Sequence, residues 1–121
     1  MKDSPLKSKS IIFAIRIVRL AQYLQKEHNE FVISKQILKS GTSIGALIRE
    51  AEFAQSNSDY INKFSISLKE ANETDYRLNI LIKTDYIDEK LFKSLASDCN
   101  ELISMLIATI NTCKKKIKVK K

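Results

Sequence analysis

Four basic residues near the start of the chain are spaced for chemistry on a polyanion. At 3.6 residues per turn, Lys9, Arg16, Arg19 and Lys26 fall within roughly 100° of arc, on a helical line about 25 Å long. Such a line could meet successive phosphates through contacts that ignore base sequence and weaken with salt. It could equally be the solvated outer face that a surface helix carries. The final segment, KKKIKVKK, adds Lys114, Lys115, Lys116, Lys118, Lys120 and Lys121 without any acid. No aromatic residue accompanies these lysines, so base stacking of the single-strand kind is not indicated. The segment is also readable as a solubilising tail. Ile117 and Val119 alternate with its lysines, which is compatible with an added strand or a membrane-surface contact.

Paired carboxylates raise the question of metal chemistry. Glu70 with Glu73, and Asp98 with Glu101, have the spacing of one helical face. A di-iron bundle site needs a Glu-x-x-His pair on each of two helices and a Glu from each of the others. This chain has one histidine, His28, in an expected loop. The paired acids are therefore read as solvated or ion-paired, and no metal is assigned. The same shortage removes an obvious base for a Ser or Cys nucleophile. Cys99 and Cys113 lie roughly 21 Å apart along one expected helix, too far for a disulfide, and read as inert core thiols in a reduced compartment. No phosphate-binding glycine loop or dinucleotide fingerprint occurs. The expectation is no enzyme and no cofactor.

The scaffold that positions these residues follows from composition. The chain has 121 residues, 44% hydrophobic and 29% charged, enough for one domain with a real core. It contains 2 glycines and 1 proline, too few for the turns of a sheet protein, which leaves a helical bundle. The net charge of +7 is uneven: both ends are basic, and residues 30–113 carry more acids than bases. Such a split points to a polyanionic partner. No apolar run approaches a membrane span, and Arg16 and Arg19 interrupt any signal-peptide pattern, so a cytoplasmic protein is expected.

Four helices are expected in an antiparallel up-down-up-down bundle, because short connections favour antiparallel neighbours. The first starts at Ser4-Pro5 and runs to about Lys26. The second is capped by Ser34 and runs to about Ala54, with Ile37, Ile44, Ile48 and Ala51 on one face. Within it, Ser40, Gly41, Ser43, Gly45 and Ala46 form a stretch of small side chains suited to close approach of another backbone. The third opens on Ser56 and Asp59, which resemble a capping box. Its stripe is Ile61, Phe64, Leu68, Ala71, Leu78 and Ile82, with Asp75 falling where an apolar residue is expected. The fourth is capped by Asp88 and carries Phe92, Leu95, Cys99, Leu102, Leu106, Ile110 and Cys113, with a second line of Ala96, Ile103 and Ile107. The first and fourth helices keep apolar residues on more than one side, which points to a homo-oligomer. Residues 1–113 are read as the bundle and 114–121 as a basic tail.

The central segments SGTSIGALIREAEFAQS and DYINKFSISLKEANETDYRLNILIKTDYI resemble the 23S rRNA-intervening sequence protein family. The residues that match in order and spacing are Ser43, Ile44, Gly45, Ala46, Ile48, Glu50, Ala51, Lys69, Glu70, Ala71, Glu73, Thr74 and Tyr76. The resemblance implies an up-and-down bundle assembling as a ring-like homopentamer in bacteria. Some relatives are encoded within insertions in 23S rRNA genes. Similar accessory proteins of diversity-generating retroelements form basic pentamers that engage nucleic acid and a reverse transcriptase. For most members no biochemical function is established. Three positions depart from the pattern: Leu47 stands where relatives commonly carry Asn, Arg49 where many have Ala, and Arg77 where Trp often follows the tyrosine. Glu50, Glu70 and Glu73 match the pattern and are read as orienting helices, with metal or partner binding as the alternative.

The sequence is thus read as a non-enzymatic oligomeric scaffold that binds structured RNA or other nucleic acid through its basic ends. The alternative is a protein–protein interaction module whose tail only aids solubility.

Overall fold

The computed structural model describes residues 4–120, with side chains through residue 118. The Lys120 and Lys121 side chains, read above as phosphate-binding, lie outside the described residues. The fold is all-α: α1 (Pro5–His28), α2 (Ile33–Ala51), α3 (Asn57–Lys83) and α4 (Glu89–Lys120) form a single-domain four-helix bundle.

Local chemistry sets the helix boundaries. Ser4 Oγ accepts from the Lys7 N–H at 3.1 Å and Pro5 supplies a preset φ, so α1 begins where expected. It ends at His28, slightly later than the sequence suggests, because Asn29 adopts a left-handed conformation with φ 51° that Asn tolerates. His28 therefore belongs to the last turn of α1 and not to a loop.

The cap of α2 differs from the sequence reading. Ser34 is not the N-cap. Glu30 turns back instead: its Oε2 accepts from the N–H groups of Val32 (3.1 Å) and Ile33 (3.0 Å), and its Oε1 from Ser34 (2.7 Å). The Ser34 hydroxyl donates to the Glu30 carbonyl at 2.7 Å and receives the Gln25 amide at 3.1 Å. A carboxylate beside exposed helix N–H groups also complements the positive end of the helix dipole.

The other two starts follow the expected chemistry. Ser56 Oγ accepts from the Asp59 N–H at 3.0 Å, and Asp59 Oδ2 reaches back to the Gln55 N–H at 3.2 Å. Asp88 Oδ1 accepts from the Leu91 N–H at 2.8 Å and opens α4.

The core draws on all four helices. Phe13, Ile17 and Leu24 meet Ile37, Ile44 and Ile48, then Phe64, Leu78 and Leu81, then Leu95, Leu102 and Leu106, all fully buried. The buried line of α3 runs through Phe64, Ser67, Ala71, Thr74, Leu78 and Leu81. Leu68 and Ile82 are only half-buried, and Asp75 sits beside the core and not in it. The polar layer is carried by Thr74, whose hydroxyl lies 2.9 Å from Ser40 Oγ and 2.8 Å from the Glu70 carbonyl. Ser67 donates to the Ile44 carbonyl at 2.9 Å, and the Cys99 thiol to the Ala71 carbonyl at 3.3 Å.

The small residues of α2 serve the close approach expected of them. A Cβ at Gly41 would stand 2.8 Å from Ile17 Cγ2, and one at Gly45 would stand 3.0 Å from Ser10 Oγ. Consecutive helices pack intimately, whereas α1 and α4 touch least of the neighbouring pairs. Residues 114–120, read as a tail, continue α4, so Ile117 belongs to a helix and not to an added strand.

Candidate functional site

The basic line on α1 is divided by its neighbours. Lys9 Nζ lies 3.0 and 3.1 Å from the two carboxylate oxygens of Glu101. Arg16 Nη1 donates to Asp98 Oδ2 at 2.7 Å, and its Nη2 donates to Ser94 Oγ at 2.9 Å. Both cations thus tie α1 to α4 across the loosest seam. Arg19 contacts only the neutral Gln22 Oε1, at 3.4 Å, and Lys26 is exposed without a carboxylate partner among the described residues. The acids Asp98 and Glu101 are accordingly ion-paired, as expected.

The lysine-rich end of α4 differs. Lys114, Lys115, Lys116 and Lys118 are exposed. No acidic residue follows Glu101 in the sequence. Lys116 and Ile117 overhang a cleft of about 630 Å³ against the α2–α3 connection, with Ser56, Tyr60 and Cys113 in its walls.

The residues that carry the family resemblance fall in two places: Lys69, Glu73 and Tyr76 share a cleft on α3 with Arg77, and Gly45, Ala46 and Glu50 line the α1–α2 groove. Ser43 Oγ donates to the Lys39 carbonyl at 2.6 Å, and Gly45 faces Ser10. Glu50 lies 3.9 Å from Lys63, linking α2 to α3. Burial and then the neighbouring Glu73 charge push the Glu70 carboxyl above its usual range, against Lys69 and Arg77. Glu73 lies 3.8 Å from Arg77. Lys69 and Tyr76 are exposed. Among the described residues, no group of three or more His, Cys, Asp and Glu side chains could hold a metal ion.

The remaining reactive groups are structural or exposed. Burial pushes the Cys99 thiol up to about 12, so it carries no thiolate near neutral pH. Cys113 is half-buried. His28 Nε2 lies 3.0 Å from the Tyr23 hydroxyl, and its ring meets the edges of Tyr23 and Tyr86. Burial works to raise the Glu30 carboxyl, but the N–H groups of Ile33, Ser34 and Val32 outweigh it and hold the group below its usual range.

Two apolar grooves flank α1. The α1–α2 groove, about 570 Å³, has Ile11, Ala14, Gly45, Ala46 and Phe53 in its walls. The α1–α4 groove, about 280 Å³, is lined by Ile15, Arg16, Arg19, Leu20, Tyr23, Leu91 and Leu95. Phe53 is 81% exposed, and Ile11, Ile12 and Ile15 are each more than half exposed. The excess of apolar residues on the first helix is visible in the sequence. The Phe53 exposure is not, because it depends on α2 ending at Ala51 and not at Ala54. Among the described residues, no helix is long and apolar enough to cross a membrane.

Comparison with known proteins places this geometry. A family model described as 23S rRNA-intervening sequence protein matches residues 2–108. A crystal structure of a protein of unknown function from the S23 ribosomal protein family of Bacteroides thetaiotaomicron VPI-5482 is 56% identical. The match covers 87% of this chain and 97% of that one, with a TM-score of 0.86. No curated protein matches the chain. The shared fold, and a family match running from the first helix well into the fourth, show that the chain belongs to the 23S rRNA-intervening sequence protein family.

Proposed function

We propose that the protein is a non-enzymatic oligomeric scaffold that binds structured RNA or other nucleic acid through the lysine-rich end of α4. The observation that carries this reading is the uncompensated charge there: Lys114, Lys115, Lys116 and Lys118 are exposed on a helix with no acid after Glu101. Lysines without aromatic partners grip phosphates and leave bases unread, so binding is sequence-tolerant and salt-sensitive. Arg19 and Lys26 extend the same character on α1, whereas Lys9 and Arg16 would first have to leave their carboxylates.

The helices take the up-down-up-down course. Pairings such as Ser10 with Gly45 and Ile17 with Gly41 support it, as do Ser40 with Thr74 and Ile44 with Ser67, because one number rises as the other falls. The assembly is the ring-like homopentamer that the family resemblance implies. Its support here is an apolar α1–α2 groove on one side of the bundle and the 43% exposed Ile107 on α4. Two different surfaces pack head to tail, and head-to-tail contacts generate a ring when their rotation closes.

The test is binding of a labelled structured RNA across a salt series, for the full chain and for a chain ending at Thr112. Truncation is expected to lower affinity and to flatten the logarithmic salt slope by roughly 0.7–0.9 for each phosphate that is no longer neutralised. Equal affinity and slope for the two chains refute the role of α4's end.

A further inference from the structure

We propose that the groove between α1 and α4 is the docking site for an acidic amphipathic helix of a protein partner. This surface is distinct from the lysine-rich end of α4. Its floor is apolar: Ile15, Leu20 and Tyr23 from α1 face Leu91 and Leu95 from α4. Ile15 is 55% exposed and Tyr23 41%, so both offer area to an incoming side chain. α1 and α4 are the least intimately packed neighbours in the bundle.

Charge selects the occupant. Asp98 and Glu101 already place carboxylates on Arg16 and Lys9, showing what this edge of α1 accepts. The line then continues to Arg19 and Lys26, neither of which pairs with a carboxylate among the described residues, Glu89 at the start of α4 being paired with Lys93. A helix laid along the seam fills the groove with aliphatic or aromatic anchors at positions i, i+3 and i+4. Carboxylates beside those anchors complete on Arg19 and Lys26 the ladder that α4 begins, with the guanidinium available for two parallel hydrogen bonds. A nucleic-acid strand satisfies the cations but leaves the apolar floor uncovered, which is why an amphipathic protein segment fits better.

The test uses the full chain and a labelled, end-capped peptide of about 18 residues, long enough to hold a helix. The peptide carries Leu and Phe on one face and Glu elsewhere; its counterpart carries Lys for Glu. The acidic peptide is expected to bind at least about tenfold more tightly than the basic one, with shifts of the Leu91 and Leu95 methyl resonances. Arg19→Glu and Ile15→Asp change exposed side chains, and circular dichroism checks that both variants stay helical. Each is expected to weaken the acidic peptide about tenfold. Equal binding of the two peptides overturns the proposal, as does acidic binding that survives both variants. A fall in the sedimentation mass of the free protein on Ile15→Asp overturns it in favour of a second copy of the chain. Loss of structured-RNA binding on Arg19→Glu with the acidic peptide unaffected overturns it in favour of nucleic acid.

Discussion

Replacing Gly41 with Ala tests whether α1 and α2 are held together by the absence of a side chain. The added methyl would lie 2.8 Å from Ile17 Cγ2, 2.9 Å from Cγ1 and 3.1 Å from Cβ. Ile17 is fully buried, and its Cβ is fixed to the backbone, so a rotamer change alone does not clear the clash. Overpacking of this kind costs about 1–3 kcal/mol. Ala returns up to about 1 kcal/mol of helix propensity, leaving a net destabilisation of about 1–2 kcal/mol. Gly45→Ala is the control. Its Cβ would meet Ser10 Oγ at 3.0 Å and Ser10 Cβ at 3.3 Å, a lighter encounter that the propensity gain about cancels. Urea unfolding at one fixed protein concentration measures both variants, since assembly shifts apparent stability. Ile17→Ala should cost less in the Gly41→Ala background than alone, because the new methyl occupies part of the vacated space. A Gly41→Ala protein as stable as the parent, or no more affected than Gly45→Ala, refutes a close approach of α1 and α2 that depends on Gly41.

Three other outcomes follow from named groups. Glu30→Gln should lower stability by about 1–2 kcal/mol at neutral pH, as loss of a charged cap does. Because the folded Glu30 carboxyl lies below its usual range, its contribution is present above the ordinary carboxylate range and fades as pH falls through the lowered value. The gap between parent and variant in denaturation curves should therefore close in acid. Glu70→Gln should do the reverse. The Glu70 carboxyl lies above its usual range, so the charged form burdens the fold as pH rises, and the variant should be the more stable protein at neutral pH and indistinguishable in acid. Phe53→Glu should reduce the sedimentation mass of the assembled protein while leaving its helical signal intact, since Phe53 packs on nothing in its own chain that burial would reveal.

Periodicity read the helices well because burial enforces it. The line Leu95, Cys99, Leu102, Leu106 and Ile110 is buried in the structure as in the pattern. The misreadings share a cause: polar side chains whose partners are set by tertiary geometry. Ser34 has the residue type of a cap, yet Glu30 reaches the same N–H groups from a longer side chain, and no propensity announces that. Asp75 and Thr74 are adjacent, and the stripe can pass through either. Thr74 takes the buried place because its hydroxyl finds Ser40 and a carbonyl, whereas a carboxylate there would have given up water without gaining a cation. The basic line likewise has partners that spacing does not announce. Its spacing on α1 is correct, but Asp98 and Glu101 lie far off in sequence and meet Arg16 and Lys9 only once the bundle closes.

α1 has four sides, and three are accounted for within one chain. Phe13, Ile17 and Leu24 face the core; Ser10 and Ile17 admit the glycines of α2; Lys9 and Arg16 hold α4. The fourth side bears Ile11 and Ile12, each about half exposed. Completing the burial of an isoleucine already half covered returns about 1 kcal/mol, so the two together supply about 2 kcal/mol. Association of two bodies costs about 4–15 kcal/mol in lost freedom alone. The isoleucine ridge is therefore insufficient by itself, and Phe53, which is 81% exposed, adds about 2 kcal/mol at most. A lone pair of protomers joined here would be weak. A closed ring changes the balance, because closure adds one interface without a further association step, and that interface forms at the high effective concentration of an intramolecular event. The proposed ring thus rests on closure more than on any single patch, and its subunits should exchange readily where the ring is held open.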